Sequence, residues 1–197
     1  MLPAHEEAAA ATLAPLTALQ VIRDKGKIKA GDRVLIHAAS GGVGHYAVQI
    51  AKQLGAYVIG TSSAANKDLI LSLGADEHID YQTQRLQNAT SDIDLVLDCL
   101  GVESVLNSID VTKVDGEVIS IVAQMTPEII AKAAKKNIRT SFYLVQSNGA
   151  DMKLLAEWLE TGAIRSHISN TYSFGQIAEA HQQIESGRTI GKIVVII

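Results

Sequence analysis

Buried strands that alternate with amphipathic helices predict an α/β chain, a doubly wound parallel sheet of about six strands clad by helices on both faces. Three observations carry this. The stretch 33–52 reads as a buried strand, a glycine-rich turn and a helix whose apolar residues at 43, 47, 50, 51 and 54 keep one face against a sheet. The glycines fall only at the joint between that strand and helix. A second strand at 57–61 follows at the spacing of a β-α-β unit, and further apolar strands at 93–98, 116–122 and 138–145 are each separated by helical segments. The strand order is expected to reverse beside 33–38.

The remaining elements follow in order. Residues 4–24 are alanine-rich and predicted helical, with Pro15 as an interruption. A helix at 66–73 stops at Gly74, and the polar strand 76–81 suits a sheet edge. Residues 82–91 read as loop or weak helix, and 102–110 as helix. Thr126-Pro127-Glu128 opens another helix with a cap, a first-turn proline and an early acid. The helix at 150–161 carries Leu154, Leu155, Trp158 and Leu159 on one side and ends at Gly162. Ser173 and Gln176 have capping-box spacing for a helix to about Ser186, and 192–197 closes the chain as a strand. The last part is thus a strand-helix-strand appendage.

The turn after the first strand is Ala38-x-x-Gly41-x-x-Gly44 with an extra Gly42, a variant of the commoner G-x-G-x-x-G. Glycines there let backbone N–H groups at a helix N-terminus approach a phosphate, with the helix dipole favouring its charge. A dinucleotide is the usual occupant of this Rossmann-type geometry. NAD-binding folds carry an acid for the ribose hydroxyls about twenty residues past the first glycine. Here that neighbourhood is Thr61-Ser-Ser-Ala-Ala-Asn-Lys67, with hydroxyls and a cation and no acid to repel a 2′-phosphate. The expected cofactor is NADP(H).

Length allows one well-buried domain, or one domain with an appendage, in 197 residues. Apolar content of 47% and a net charge of −4 fit a soluble globular protein and leave no electrostatic footprint for nucleic acid. The basic cluster Lys132, Lys135, Lys136 and Arg139 reads as a solvated helix face. The single cysteine, Cys99, excludes a disulfide framework, suits a reducing compartment and reads as a small buried residue after a strand end. No basic region precedes an apolar core at the start, and no apolar run approaches membrane-spanning length. A cytoplasmic protein with no membrane partner is expected.

The chain resembles the medium-chain dehydrogenase/reductases, specifically their zinc-independent quinone oxidoreductase branch. The matching pieces run in family order: Glu6-Glu-Ala-Ala-Ala, Leu16-Thr-Ala-Leu, Ala38-Ala-Ser-Gly-Gly-Val-Gly44, Gly60-Thr, Leu73-Gly-Ala-Asp, Ile79-Asp-Tyr81, Asp98-Cys-Leu-Gly101, Ala180-His181 and Gly191-Lys-Ile-Val. The resemblance implies an NAD(P)-binding domain with a lead-in helix over 1–163, and a segment over 164–197 that in the family returns to a GroES-like barrel. That barrel would precede the chain and hold most of the substrate site. The implied activity is hydride transfer from NADPH to a quinone or activated enone. Two other readings are an NADPH-binding sensor without chemistry, and the enoyl-reductase domain of a larger synthase.

The same resemblance distributes roles. Ser40, Gly41, Gly42, Val43 and Gly44 would lie under the pyrophosphate. Ser62, Ser63, Lys67 and Tyr81 would surround the 2′-phosphate. Thr17, Leu100, Gly101, Val122, Ala123, Phe142 and Leu144 would line the nicotinamide side. Val122 and Phe142 also suit ordinary strand core, and Thr17 a helix-packing role. Zinc-dependent relatives place a cysteine ligand four residues before this threonine, where Leu13 has no donor atom for zinc. His181 shares an apolar helix face with Ile177 and Ile184 and reads as a packed histidine, while His45 reads as an exposed first-turn residue or a phosphate contact. No residue stands out as a general acid or base, and Asp98 fits a turn better than catalysis. In the family the strands equivalent to 138–145 pair between subunits, which implies a homodimer built through that edge.

Overall fold

A computed structural model describes residues 5–197. Its helices are α1 (His5–Ala10), α2 (Leu13–Leu19), α3 (Gly44–Gln53), α4 (Lys67–Ser72), α5 (Leu86–Ala89), α6 (Val102–Val111), α7 (Pro127–Lys135), α8 (Gly149–Thr161) and α9 (Ile177–Glu185). Six strands, β1 (Arg33–Ile36), β2 (Tyr57–Ser62), β3 (Glu77–Asp80), β4 (Ile93–Asp98), β5 (Thr112–Ser120) and β6 (Arg139–Phe142), form one all-parallel sheet. Their order is β3-β2-β1-β4-β5-β6, so the winding reverses at β1, as expected for a Rossmann-type fold.

Side chains alternate across the sheet and divide the interior in two. Val34, Ile36, Val58, Leu95, Leu97 and Ile119 face a layer built from α2, α3, α4 and α8. Leu35, Ile59, Val96 and Val118 face α6 and α7. Strands buried on both sides explain their continuous apolar runs.

Several expectations need correction. Residue 4 lies outside the described residues. Pro15 does not interrupt its helix but sits in the first turn of α2, where a missing N–H costs nothing. The break falls earlier, between α1 and α2, and α2 runs on as a π-helical segment over Gln20–Lys25. Strand β5 begins at Thr112 rather than 116 and ends at Ser120, while β6 spans only Arg139–Phe142 of the expected 138–145. The basic cluster is more than a solvated face. Lys132 donates to Leu106 O at 2.9 Å and pairs with Asp110 at 2.8 Å, and Lys136 donates to Asp110 O at 2.9 Å. Lys136 thus satisfies carbonyls in the last turn of α6, while Lys132 reaches its middle.

After β6 the chain folds over a sheet face. The Tyr143 hydroxyl and the Gln146 N–H both donate to Gln20 Oε1, at 3.1 and 3.0 Å. Buried Asp151 accepts from Gln20 at 3.0 Å and from Arg23 at 2.7 Å. Burial alone would raise its pKa, but those bonds outweigh it and hold the carboxyl below its ordinary range. With α8 seated on α2, β6 stays the last strand of the sheet.

Strands β7 (Ile168–Ser173) and β8 (Lys192–Ile196) pair parallel in a separate sheet, with the Ser173–Gln176 capping box formed ahead of α9. This unit is tied to the main body: the Tyr46 and Ser166 hydroxyls lie 2.6 Å apart, and the Arg165 N–H donates to Gln49 at 2.8 Å. His181 is exposed on α9, as are Ile177 and Ile184, so it is not the packed histidine its spacing suggested. Periodicity identifies a shared face and not what covers it. No helix among the described residues is long and apolar enough to cross a membrane.

Candidate dinucleotide site

The reversal at β1 opens a crevice at the carboxyl end of the sheet. Its floor is the turn between β1 and α3, where Ala38 adopts φ +48 and the Gly41 N–H closes back on Ala38 O at 2.8 Å. A left-handed residue at this point is where glycine is commoner, and alanine there carries backbone strain. Gly44 is required for close packing: a Cβ on it would lie 2.1 Å from Ala38 O and 2.7 Å from Ala39 Cα. Gly42 is open instead: the atoms nearest such a Cβ are Gly191 O and the Lys192 side chain, none closer than 3.6 Å.

Helix α3 starts uncapped. Its N-cap is Val43, which makes no side-chain cap bond. The first N–H groups of a helix have no intrahelical acceptor; that of His45 bonds Gly41 O at 3.1 Å, and the apolar cap leaves those at the very start of α3 without a side-chain partner. They open into a cleft of about 480 Å³ that Thr17, Gly41, Gly42, Val43, Gly44, Val122, Leu144 and Lys192 help to line. Lys192 comes from β8. The Gly191 N–H donates to Ser40 O at 2.7 Å, and the Lys192 Nζ then lies 3.8 Å from the position of a Cβ on Gly42. The closing Gly191-Lys192 pair was visible in sequence, but nothing there put it beside residue 42.

A second cleft of about 720 Å³ continues past the turn, lined by His37, Thr61, Tyr81, Arg85, Leu100 and Gly101 among others. Ser40 lies in the turn after β1, Ser62 ends β2, Ser63 follows it and Lys67 opens α4. Asn66 donates to Ser40 Oγ at 3.1 Å and to Ser63 Oγ at 3.4 Å. Ser62 is buried and Lys67 exposed. Ala123 is buried against the α6–α7 side, Phe142 ends the edge strand, and neither lines a cleft.

The acid absent from 61–67 has a neighbour the sequence did not place. Ser62 pairs in register with Asp80, and Asp80 accepts from the Gln82 N–H and the Thr83 hydroxyl. Those bonds keep its pKa below the ordinary range. It is occupied by its own turn, but its charge is close.

Asp98 is fully buried and accepts from the Leu100 and Gly101 N–H groups at 3.3 and 3.2 Å and from Ser120 Oγ at 2.7 Å. Ser120 in turn accepts from the Val122 and Ala123 N–H groups, at 3.2 and 2.8 Å, which pins the turn after β5. Thr17 donates to Leu13 O at 2.9 Å, leaving its hydroxyl oxygen to accept. Cys99 is partly buried and lines the smaller cleft, and burial pushes its thiol up to about 12, so it stays protonated. His45 is buried, not exposed: Nδ1 bonds Gly41 O at 2.8 Å, and burial lowers its pKa to about 4, with Lys192 and His167 adding to the shift. A neutral ring donating from Nδ1 braces the glycine turn from behind. Leu13 lines the cleft without a donor atom for zinc, and the described residues hold no group of three His, Cys, Asp or Glu side chains able to bind a metal.

Comparison with known proteins agrees with this geometry. The profile of a family described as zinc-binding dehydrogenases matches residues 73–195. The 2-methylene-furan-3-one reductase of Solanum lycopersicum is 31% identical over 193 residues, covering 96% of this chain and 46% of that protein. The quinone oxidoreductase of Coxiella burnetii superposes with TM-score 0.88 at 34% identity, over 93% of this chain and 58% of that one. The Escherichia coli quinone oxidoreductase solved with NADPH gives TM-score 0.89 at 26% identity, over 100% of this chain and 68% of that one. The chain thus spans only about half to two thirds of such proteins, 46% and 58% in the first two cases. With the glycine turn, the strand order and the closing strand pair all in place, this chain belongs to the zinc-binding dehydrogenase family of the medium-chain dehydrogenase/reductases.

Proposed function

We propose that the chain is the NADPH-binding portion of an oxidoreductase that reduces a quinone or an activated enone. The observation that carries this is the uncapped N-terminus of α3, which opens through Gly42 into a cleft whose other wall carries the Lys192 amine. Free N–H groups, a helix dipole and a cation converge where a pyrophosphate would lie. The NADPH-bound Escherichia coli relative and the enone-reducing tomato relative support the cofactor and substrate class. When bound, NADPH supplies the hydride. The chain's own residues grip the phosphates, set Val122 beside the cleft, and keep the Cys99 thiol protonated and unreactive.

Residues 164–197 serve as the segment returning to a substrate-binding barrel, and a cytoplasmic site of action fits the reducing compartment that one unpaired cysteine suits. In the NADPH reading Ser62, Ser63, Lys67 and Tyr81 surround the 2′-phosphate. Lys67 is exposed and makes no ion pair among the described residues. Replacing Lys67 with alanine should weaken NADPH by about 1.5–3 kcal/mol, the worth of a charge-assisted bond, and leave NADH nearly unchanged. Fluorescence titration with both dinucleotides decides it, and equal losses would remove Lys67 from phosphate recognition.

The chain is also proposed to form a homodimer through β6. The Tyr143 N–H bonds inward to Ser120 O at 2.9 Å. By the two-residue alternation of a strand, Thr140 and Phe142 turn their N–H groups outward. An isologous pairing there would join two sheets into one. Sedimentation at micromolar concentration should give a dimer, and Thr140→Pro should give a folded monomer, since it deletes an outward donor only. A monomeric wild type ends the proposal.

A further inference from the structure

His78 lies on β3 directly beside the proposed 2′-phosphate position. It pairs in register with Gly60, on the same side of the sheet as Ser62, and its Nε2 is 2.9 Å from Ser62 Oγ. The Ser62 hydroxyl donates to Ser63 O at 2.9 Å, so its proton is already used. With that proton on Ser63 O the imidazole donates through Nε2–H, which leaves Nδ1 as the atom that takes up a second proton. His78 thus touches Ser62, approaches the Ser63 backbone, and lies within electrostatic reach of Lys67.

We propose that His78 is a specificity-determining positioning residue, which gains a proton when a 2′-phosphate settles among Ser62, Ser63 and Lys67 and so makes the preference for NADPH over NADH fall as pH rises. This inference rests on the NADPH reading above.

The charges around the ring give the sign. On its own strand Asp80 favours the imidazolium, and Glu77, which faces the far end of β2, accepts from the Tyr57 hydroxyl. On α4, Lys67 opposes the imidazolium, and Asp68 follows it in the first turn. Burial is the largest influence and, with Lys67, holds His78 below its ordinary 6.5 in the free protein. An arriving phosphate neutralises the effect of Lys67 and adds negative charge of its own. The imidazolium is then favoured, and its charge offsets that of Asp80, which would otherwise repel the ligand. A group whose pKa rises on binding takes up a proton, so affinity is greatest below the free-state value and falls as pH climbs through the bound-state value. The phosphate's own second ionisation, near 6, works the other way, since it gains charge as pH rises.

The test is the dissociation constant of NADPH and of NADH from pH 6 to pH 8, for the wild-type chain and for His78→Gln. NADPH should bind the wild type about two- to fivefold more weakly at pH 8 than at pH 6, short of the tenfold ceiling of a one-unit pKa rise because pH 6 does not lie far below the free-state value. NADH should show no such trend, and His78→Gln should abolish or reverse it for NADPH. An unchanged slope in the variant, or a flat wild-type profile, overturns the inference while leaving the NADPH reading intact. Failure of NADPH to bind at any pH overturns both. Should the variant not fold, titration calorimetry of the wild type in two buffers of unequal ionisation enthalpy still decides. Proton uptake with NADPH and not with NADH supports His78, and release or no difference refutes it.

Discussion

Gly44→Ala should cost the fold about 3 kcal/mol or more and remove dinucleotide binding with it, the largest effect of any single methyl group in the site. The added carbon would meet Ala38 O at 2.1 Å and Ala39 Cα at 2.7 Å. Both are backbone atoms of the strained turn, so neither can rotate away as a side chain would. Relief requires α3 to move off β1, which breaks the packing of Tyr46, Ala47 and Ile50 in the core. Gly42→Ala is the matched control. Its carbon meets nothing closer than 3.6 Å and would project toward Lys192. That variant should keep its denaturation midpoint yet lose most affinity for NADPH and NADH alike, because the methyl group occupies the approach to the N–H groups. A Gly44→Ala protein as stable as wild type, or a Gly42→Ala protein that binds normally, would show that the turn does not work this way.

The second large effect is expected at a position remote in sequence. Gly191 adopts φ +60, and a Cβ there would lie 2.0 Å from His167 O. Alanine must therefore disturb the junction where β8 leaves the glycine turn, at an expected cost of about 2–3 kcal/mol. The bond from the Gly191 N–H to Ser40 O would open, and Lys192 would swing away from the cleft. Amide exchange should speed up across 164–197 while the six-stranded sheet stays protected. Both dinucleotides should weaken together, since the pyrophosphate is common to them. Lys192→Ala should reproduce that loss, roughly ten- to a hundredfold for a charge-assisted contact, without the change in exchange. A selective loss of NADPH would place Lys192 at the 2′-phosphate instead.

Local chemistry explains why so much was legible in the sequence. Strands buried on both faces must be continuously apolar, so β1, β2, β4 and the core of β5 were visible as runs, and the alternation with helices implied a parallel, doubly wound sheet. Thr126 with Pro127, Ser173 with Gln176, and Gly162 marked helix ends because capping is decided within four residues. The glycine turn was visible for the same reason: its geometry depends on steric permission at adjacent positions. Pairing across distance was not. Sequence could not show that Asp80 comes into register with Ser62, that His78 reaches the same hydroxyl, or that Lys192 closes on Gly42, because each contact depends on strand order and register rather than on neighbours in the chain. Burial misled for the same reason, with His45 enclosed and His181 open to solvent. The sequence by itself determined the fold class and the glycine turn, both properties of local periodicity and backbone freedom. Only the tertiary structure decided which charges surround that turn, since electrostatic interactions act through space and their partners here lie on different strands.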